Sequence, residues 1–273
     1  MIKKAFPGHP STEDMTPERV LADVRECGVT TVFNMVFPIK EHETEKLNEF
    51  SREIGQTYDN VVPFGSLHAD TPRKDEVAQR CLVEYGLAGI KLHPYVQGFE
   101  AFSPVFEPLY RKLNELRRPL LAHTGFDVFY NQSQDLDYLR GILERYPEMP
   151  VVLVHSLFPR FRLAGELMGE HENLYLDMTN VISAVRFYRD SPPERWSTEV
   201  DAAAMADNID YFFDVLERYS HRTMFGTDHP AGMGSPRQIY ADFDSFDFDP
   251  VISANLLGNT ARGFLRKCCV REG

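Results

Sequence analysis

Four short apolar runs in this 273-residue chain end on side chains that titrate or bind metal. GIKLHP carries Lys91 and His93, PLLAHTG carries His123, VVLVHS carries His155, and MFGTDHP carries Asp228. Imidazole nitrogen and carboxylate oxygen are ligands that zinc and related divalent ions accept, and a catalytic centre keeps one position for water beside its protein ligands. His123 and Asp228 lead as ligands, with His155 as the third. A carboxylate beside an activated water can also take its proton, which gives Asp228 a second use as general base. His155 or Lys91 would then neutralise developing negative charge. Lys91 and His93 lie two residues apart and share one side of a strand, either as a site pair or as a salt-bridged lysine with a turn histidine. A single strand-end histidine is more often an ordinary hydrogen-bonded residue; recurrence on successive strands is what favours chemistry.

Side chains at strand ends converge only if the strands run parallel around one axis. The chain alternates accordingly. Thr16-Pro17-Glu18 opens a helix that Gly28 stops, and VTTVFNMV follows as a strand over 29–36. Helical stretches at 43–55, 72–85, 105–116, 136–146, 161–169 and 201–219 then feed VVPFGSLH, AGIKLH, PLLAHT, PVVLVH, NLYLDMT and RTMFGTD in turn. Near-continuous apolar strands joined by helices describe a parallel sheet covered on its outer face, closed as a (β/α)8 TIM barrel in one domain over residues 1–273. The strands number about seven where such a barrel needs eight. The first is missing or degenerate: residues 1–15 hold Pro7, Gly8 and Pro10 and read as a loop, with Ile2 to Phe6 at most a stub. Along LLAHT, His123 shares parity with Leu121, and along VVLVH, His155 shares parity with Val151 and Leu153, so alternation alone leaves open which face is inward.

Composition narrows the partners. With 29 basic against 41 acidic residues the net charge is -12, which repels phosphate backbones and anionic lipid. No apolar run reaches the ~20 residues of a membrane span, and the basic N-terminus lacks an apolar signal core, so the expectation is a cytoplasmic protein with a small-molecule substrate, self-association remaining open. Cys27, Cys81, Cys268 and Cys269 form no Cys-x-x-Cys pair and read as reduced thiols.

In order and spacing, GIKLHPYVQGF, LLAHTG, VLVHS, NLYLDMT, MFGTDHP and ANLLGNTARGFL resemble the amidohydrolase-related (amidohydrolase 2) family of TIM-barrel metal-dependent hydrolases and decarboxylases, over nearly the whole chain. The resemblance implies His123 as the strand-five metal ligand, His155 as a strand-six histidine near metal or substrate, and Asp228 as the strand-eight ligand and base. Zn2+ is the implied metal, with Mn2+ the alternative. Asn255, Asn259 and Phe264 would be structural, in a closing helix over 250–266. The family's first strand supplies a His-x-His pair, which occurs nowhere here; His9, His93 or His155 would have to substitute. Hydrolysis of a small carboxylated or cyclic substrate through a metal-activated water is the leading reading. Decarboxylation is the alternative, and a non-catalytic acid-binding barrel or an assembly subunit with an open strand edge is the third.

Loops after the strands should shape the pocket. His93, Tyr95, Gln97 and Phe126 are the expected substrate contacts, with the Phe126 to Tyr130 loop and a long insertion from Val181 to Trp196 around them. Arg160 and Arg162 are expected on a solvated helix start. His9, His42, His171 and His221 read as surface residues, while His68 and His229 lie where they could line the mouth.

Overall fold

The apolar runs fold as short parallel strands, each too brief to carry more than one or two side chains to either face. The computed structural model describes residues 15–192, 194 and 202–268. The strands are β1 (Val32–Asn34), β2 (Val61–Pro63), β3 (Gly65–Ser66), β4 (Ile90–Leu92), β5 (Leu120–His123), β6 (Val151–Val154), β7 (Leu174–Asp177) and β8 (Thr223–Met224). β1 pairs with β2, and β3 to β8 follow in chain order as a second parallel sheet. Phe64 links β2 to β3 and donates its N–H to Asn34 O at 3.0 Å, so these two stretches are one strand handing the wall from β1 on to β4. Seven strands result among the described residues, those the hydrophobic pattern implied.

Between them run α1 (Pro17–Arg25), α2 (Thr44–Thr57), α3 (Lys74–Gln79), α4 (Pro94–Gln97), α5 (Glu107–Glu115), α6 (Asp127–Tyr130), α7 (Asp137–Arg145), α8 (Phe161–Glu170), α9 (Val181–Asp190) and α10 (Ala202–Tyr219). After β8 come α11 (Pro236–Asp244), α12 (Pro250–Ala254) and α13 (Thr260–Cys268). Local chemistry explains several starts: the Thr16 hydroxyl caps α1 by accepting from Arg19 N, and the Ser235 hydroxyl caps α11 by accepting from Gln238 N, each with proline at the first helical position. α9 makes the first ten residues of the expected Val181 to Trp196 insertion helical. α11 was not anticipated, although Ser235-Pro236 is a good helix opening. The closing helix also differs: α12 and α13 are separated by a wide turn over Asn255–Asn259 with Gly258 out of helical conformation.

Alternation sorts the strands into two cores. Ile90, Leu92, Leu120, Ala122, Val151, Leu153, Leu174 and Leu176 pack outward with Phe161, Leu167, Phe212 and other helix residues. Phe64, Ala88, Leu121, Val152, Val154, Tyr175 and Met224 fill the barrel interior together with Phe264 and Cys268 of α13. α13 is therefore the barrel floor, with Phe264 1% exposed and its ring 5.0 Å from that of Tyr175.

Among the described residues β8 and β1 do not pair, so the wall is open there. The helix layer nevertheless closes over this seam, through His229 Nε2 to Asp23 Oδ2 at 3.0 Å and Arg237 to Glu26 at 3.1 Å. The expected stub at Ile2 to Phe6, the loop over 1–14, and His9 lie outside the described residues, as do Trp196 and Cys269. Cys27, Cys81 and Cys268 form no disulfide among the described residues.

Candidate functional site

Register places the chemistry in two layers at the C-terminal end of the strands. Lys91 aligns with Leu121 and Val152, one step below the layer in which His123, Val154 and Asp177 are neighbours. Lys91 alternates with outward Ile90 and Leu92, His123 has the parity of inward Leu121, and Asp177 that of inward Tyr175, so all three point into the barrel. From the lower layer a lysine reaches upward: its charge acts on Asp177, Asp228, His93, His123 and His155 alike.

His155 enters by a different route. Its parity would send it outward with Val151 and Leu153, but His155, Ser156 and Leu157 all take positive φ (66, 52 and 57°), a left-handed turn that brings the ring edge-on to His123 at 4.3 Å. His93 stacks on the other face of His123 at 3.8 Å, and Phe37 packs on His93 at 4.5 Å. Tyr130 stands edge-on to His123 at 5.3 Å, and Tyr95 stacks on Tyr130 at 4.7 Å. Gly125 makes the turn after His123 fit: its φ is +74°, and a Cβ there would lie 2.5 Å from Phe158 N.

One turn after β7 organises the remaining groups. Asp177 Oδ1 accepts from Thr179 N at 2.8 Å and from the Thr179 hydroxyl at 2.6 Å. The Thr179 carbonyl lies 2.7 Å from His155 Nδ1, and because a carbonyl only accepts, that nitrogen carries the proton and Nε2 keeps its lone pair. Asn180 donates to Asp228 Oδ2 at 3.0 Å and accepts from Met233 N at 2.9 Å, fixing the Asp228 carboxylate.

Burial sets the protonation states. His93 and His123 are held well below the usual histidine range chiefly by burial, with Lys91 and a neighbouring histidine adding to it. His155 is pushed down to about 3 by burial, against the Thr179 carbonyl bond that raises it. The three rings are thus neutral at pH 7. Burial raises Asp177, and burial lowers Lys91 to about 8 despite the pull of Asp177 and Asp228. Tyr130 is raised to about 12, again by burial.

The expected residues divide. Lys91, His93, His123, His155 and Asp228 do meet at one mouth. Tyr95 forms a wall, its hydroxyl donating to Asp127 Oδ1 at 2.5 Å, and Phe126 packs edge-on to His155 at 5.4 Å. Gln97 is corrected from substrate contact to loop staple: its amide donates to Pro38 O and Leu67 O, and its oxygen accepts from His93 N at 2.7 Å. His229 faces Asp23 at the seam instead of the mouth, and His68 Nε2 lies 3.2 Å from Gln97 O. Arg160 is half-buried against Asp127 at 3.1 Å, not solvated, whereas Arg162 does sit on the surface with Asp207. Asp177, Thr179, Asn180 and Phe37 were missed, while Tyr130 belongs to the loop expected around the pocket. Asp177 ends the run NLYLD just as the other residues end theirs, so the same signal could have found it.

Among the described residues the opposite end offers no comparable chemistry. A cavity of about 240 Å³ at the floor is lined by Tyr175, His221, Asn255, Asn259, Thr260 and Phe264. Asn255 and Thr260 are spent on Ser220, as befits the stability face of a barrel.

A divalent metal is a test of donor geometry here. His93 Nδ1 and His123 Nε2 are buried without hydrogen-bond partners, which a metal would remedy. But the two rings lie face to face, 22° from parallel, so they do not aim jointly at one ion, and among the described residues no group of three or more His, Cys, Asp or Glu converges as a ligand set. His123, His155 and Asp228 share the mouth without forming the ligand set expected of them. Taken alone, these described donors fall short of the three or so protein ligands a catalytic zinc or manganese centre takes, and His9 lies outside the described residues.

A family model described as Amidohydrolase matches residues 22–267. The chain belongs to the amidohydrolase family. Among solved structures, a TIM-barrel protein of Bordetella bronchiseptica aligns with TM-score 0.70 at 18% identity, covering 95% of this chain and 86% of the other. A 5-carboxyvanillate decarboxylase from Novosphingobium aromaticivorans, with bound manganese, aligns with TM-score 0.62 at 14% identity over 91% of this chain and 80% of its own. Protein fluG of Emericella nidulans is 35% identical over 77 residues, 27% of this chain but only 9% of fluG. No helix among the described residues is long and apolar enough to cross a membrane.

Proposed function

We propose that this amidohydrolase-family barrel is an enzyme that decarboxylates a small carboxylic acid. The observation that carries the reading is Lys91, 4% exposed at the floor of the mouth, with Asp177 and Asp228 acting on it and neutral rings around it. Loss of CO2 leaves an electron pair on carbon, and a site for that reaction needs a positive group to receive the charge and an acid to deliver a proton. Lys91 supplies the first. Asp228, fixed by Asn180, and Asp177, whose proton affinity burial raises, supply the second. His155 offers a bare Nε2 toward the same space, and the aromatic wall of Phe37, Tyr95 and Tyr130 excludes water from a small planar or unsaturated substrate. The carboxylated substrate of the Novosphingobium decarboxylase agrees with this chemistry.

Hydrolysis is the second reading, favoured by the unpartnered His123 Nε2, which can hold a water beside Asp228. The two differ in product. A panel of small aromatic and unsaturated acids, followed by coupled detection of CO2, should show release by the wild-type protein and none by Asp228→Asn, which still binds the acid by calorimetry. CO2 release unchanged in Asp228→Asn would sink the assignment.

A further inference from the structure

The cavity at the barrel floor holds a polar group without a partner. Tyr175 stands inward on β7 among Leu121, Val152, Met224 and Phe264, a setting that a phenylalanine would fill as well. It is 7% exposed and lines the cavity, and its hydroxyl makes no hydrogen bond among the described residues. A buried phenol ordinarily finds a partner, and leaving it without one costs stability. Tyr175 acts on the charge of Arg222, so its hydroxyl lies toward the turn Ser220–Arg222, which lines the cavity through His221.

Charge is arranged differently at this end. On the outer helix layer arginines meet carboxylates, as Arg117 meets Glu148, Arg162 meets Asp207 and Arg186 meets Asp242. Three arginines near the floor do not. Arg222 donates to the carbonyls of Met168, His171 and Leu174, Arg118 to that of Cys268, and Arg262 to Asn259 Oδ1. None of the three has a carboxylate within 4 Å among the described residues, and Glu172 acts on Arg222 only from beyond that distance. No acidic residue lines the cavity. In a chain of net charge -12, this is a place where positive charge gathers without neutralisation and draws an anion.

We propose that the floor cavity is a binding site for a small oxyanion, a carboxylate or a phosphate, held by the Tyr175 hydroxyl, the His221 ring and the Asn259 amide in the field of Arg222 and Arg262. Tyr175 donates from the inner end, and a hydrogen bond to a charged oxygen is stronger than one between neutral groups. Asn259 Oδ1 takes the Arg262 bond, which leaves its NH2 group to donate. His221 is exposed and makes no bond among the described residues, so its ring is available at the rim. At about 240 Å³ the cavity falls below the ~300 Å³ at which drug-sized sites begin, and it suits phosphate or a single-ring acid. The occupant ties β7 to α13 and to the turn before β8, so its binding stabilises the floor. This site is separate from the mouth and stands whichever reaction the mouth performs.

The test uses the full chain labelled with 3-fluorotyrosine and followed by fluorine NMR, the resonance absent from Tyr175→Phe being that of Tyr175. Inorganic phosphate, benzoate and the uncharged benzamide are added in turn at constant ionic strength. The expected result is a saturable shift of the Tyr175 resonance with phosphate, with benzoate or with both, which tells the two sources of oxyanion apart, and none with benzamide. The exposed variants should weaken binding, His221→Ala by about ten-fold through a lost charge-assisted hydrogen bond and Arg262→Gln by about three-fold through a lost rim charge. Where Tyr175→Phe fails to fold, a saturable shift that both of these variants weaken identifies the site. No saturable shift with either anion, an equal response to benzamide, or an affinity unchanged in both variants overturns the proposal. A shift confined to Tyr95 and Tyr130 marks binding at the mouth alone and overturns it too.

Discussion

At the mouth, His93, His123 and His155 are stripped of water, and two of them keep a ring nitrogen with no partner; at the seam between β8 and β1, His229 is equally enclosed but bonded to Asp23 at 3.0 Å. Both regions are made of histidine and carboxylate on strand ends and neighbouring helices. The seam uses its pairs to hold α1 and α11 together where the strands beneath do not pair. The mouth leaves its donors unsatisfied, which stabilises nothing and suits only groups that are to meet a ligand. The difference teaches that residue type does not mark the site. What marks it is polar groups kept buried at a cost to stability.

The largest test of that contrast is at the mouth. Asp228→Asn should lower turnover about a hundred- to ten-thousand-fold, the range of a lost acid–base group, with little change in the urea midpoint. A large stability loss with modest kinetic change would make Asp228 a seam-like structural residue. Next comes the floor that spans both regions: Phe264→Ala should cost about 3–5 kcal/mol in urea denaturation, as a cavity opens under Tyr175 and Met224.

Acid then separates the two kinds of histidine. His155 has its folded value lowered to about 3 from 6.5, so the unfolded chain takes up a proton that the folded chain refuses. Its contribution is complete above pH 6.5 and is lost as the pH falls toward 3. Near pH 4.5 this loss is about 3 kcal/mol, and His155→Leu should flatten the acid limb of a stability-versus-pH curve by up to that amount. Asp177, raised by burial, opposes the trend, because the folded chain holds its proton more tightly than the unfolded one. The smallest effect belongs to the seam: Asp23→Ala should cost ~1 kcal/mol or less, since that carboxylate is partly solvated, and should leave turnover unchanged. A change in turnover would join the seam to the site.

Much of this was written in the order of residues. Periodicity gave the strand runs and their parallel succession, because a strand buried on one side by helices and on the other by a barrel interior must be apolar throughout. The strand-end rule gave Lys91, His93, His123, His155 and Asp228. It also covers Asp177, which ends its strand in the same way. Gln97 was misjudged for a reason no pattern contains: its three hydrogen bonds reach backbone atoms at positions 38, 67 and 93, which only the folded loops bring together.

The sequence by itself determined the barrel and its chemical end, since both follow from which side chains recur at fixed offsets along one strand. Tertiary structure alone decided the state of that chemistry. Parity sends His155 outward, and only the left-handed turn over residues 155–157 returns it to the mouth. The neutrality of three histidines and the lowered proton affinity of Lys91 are consequences of burial, and burial depends on what packs from distant parts of the chain.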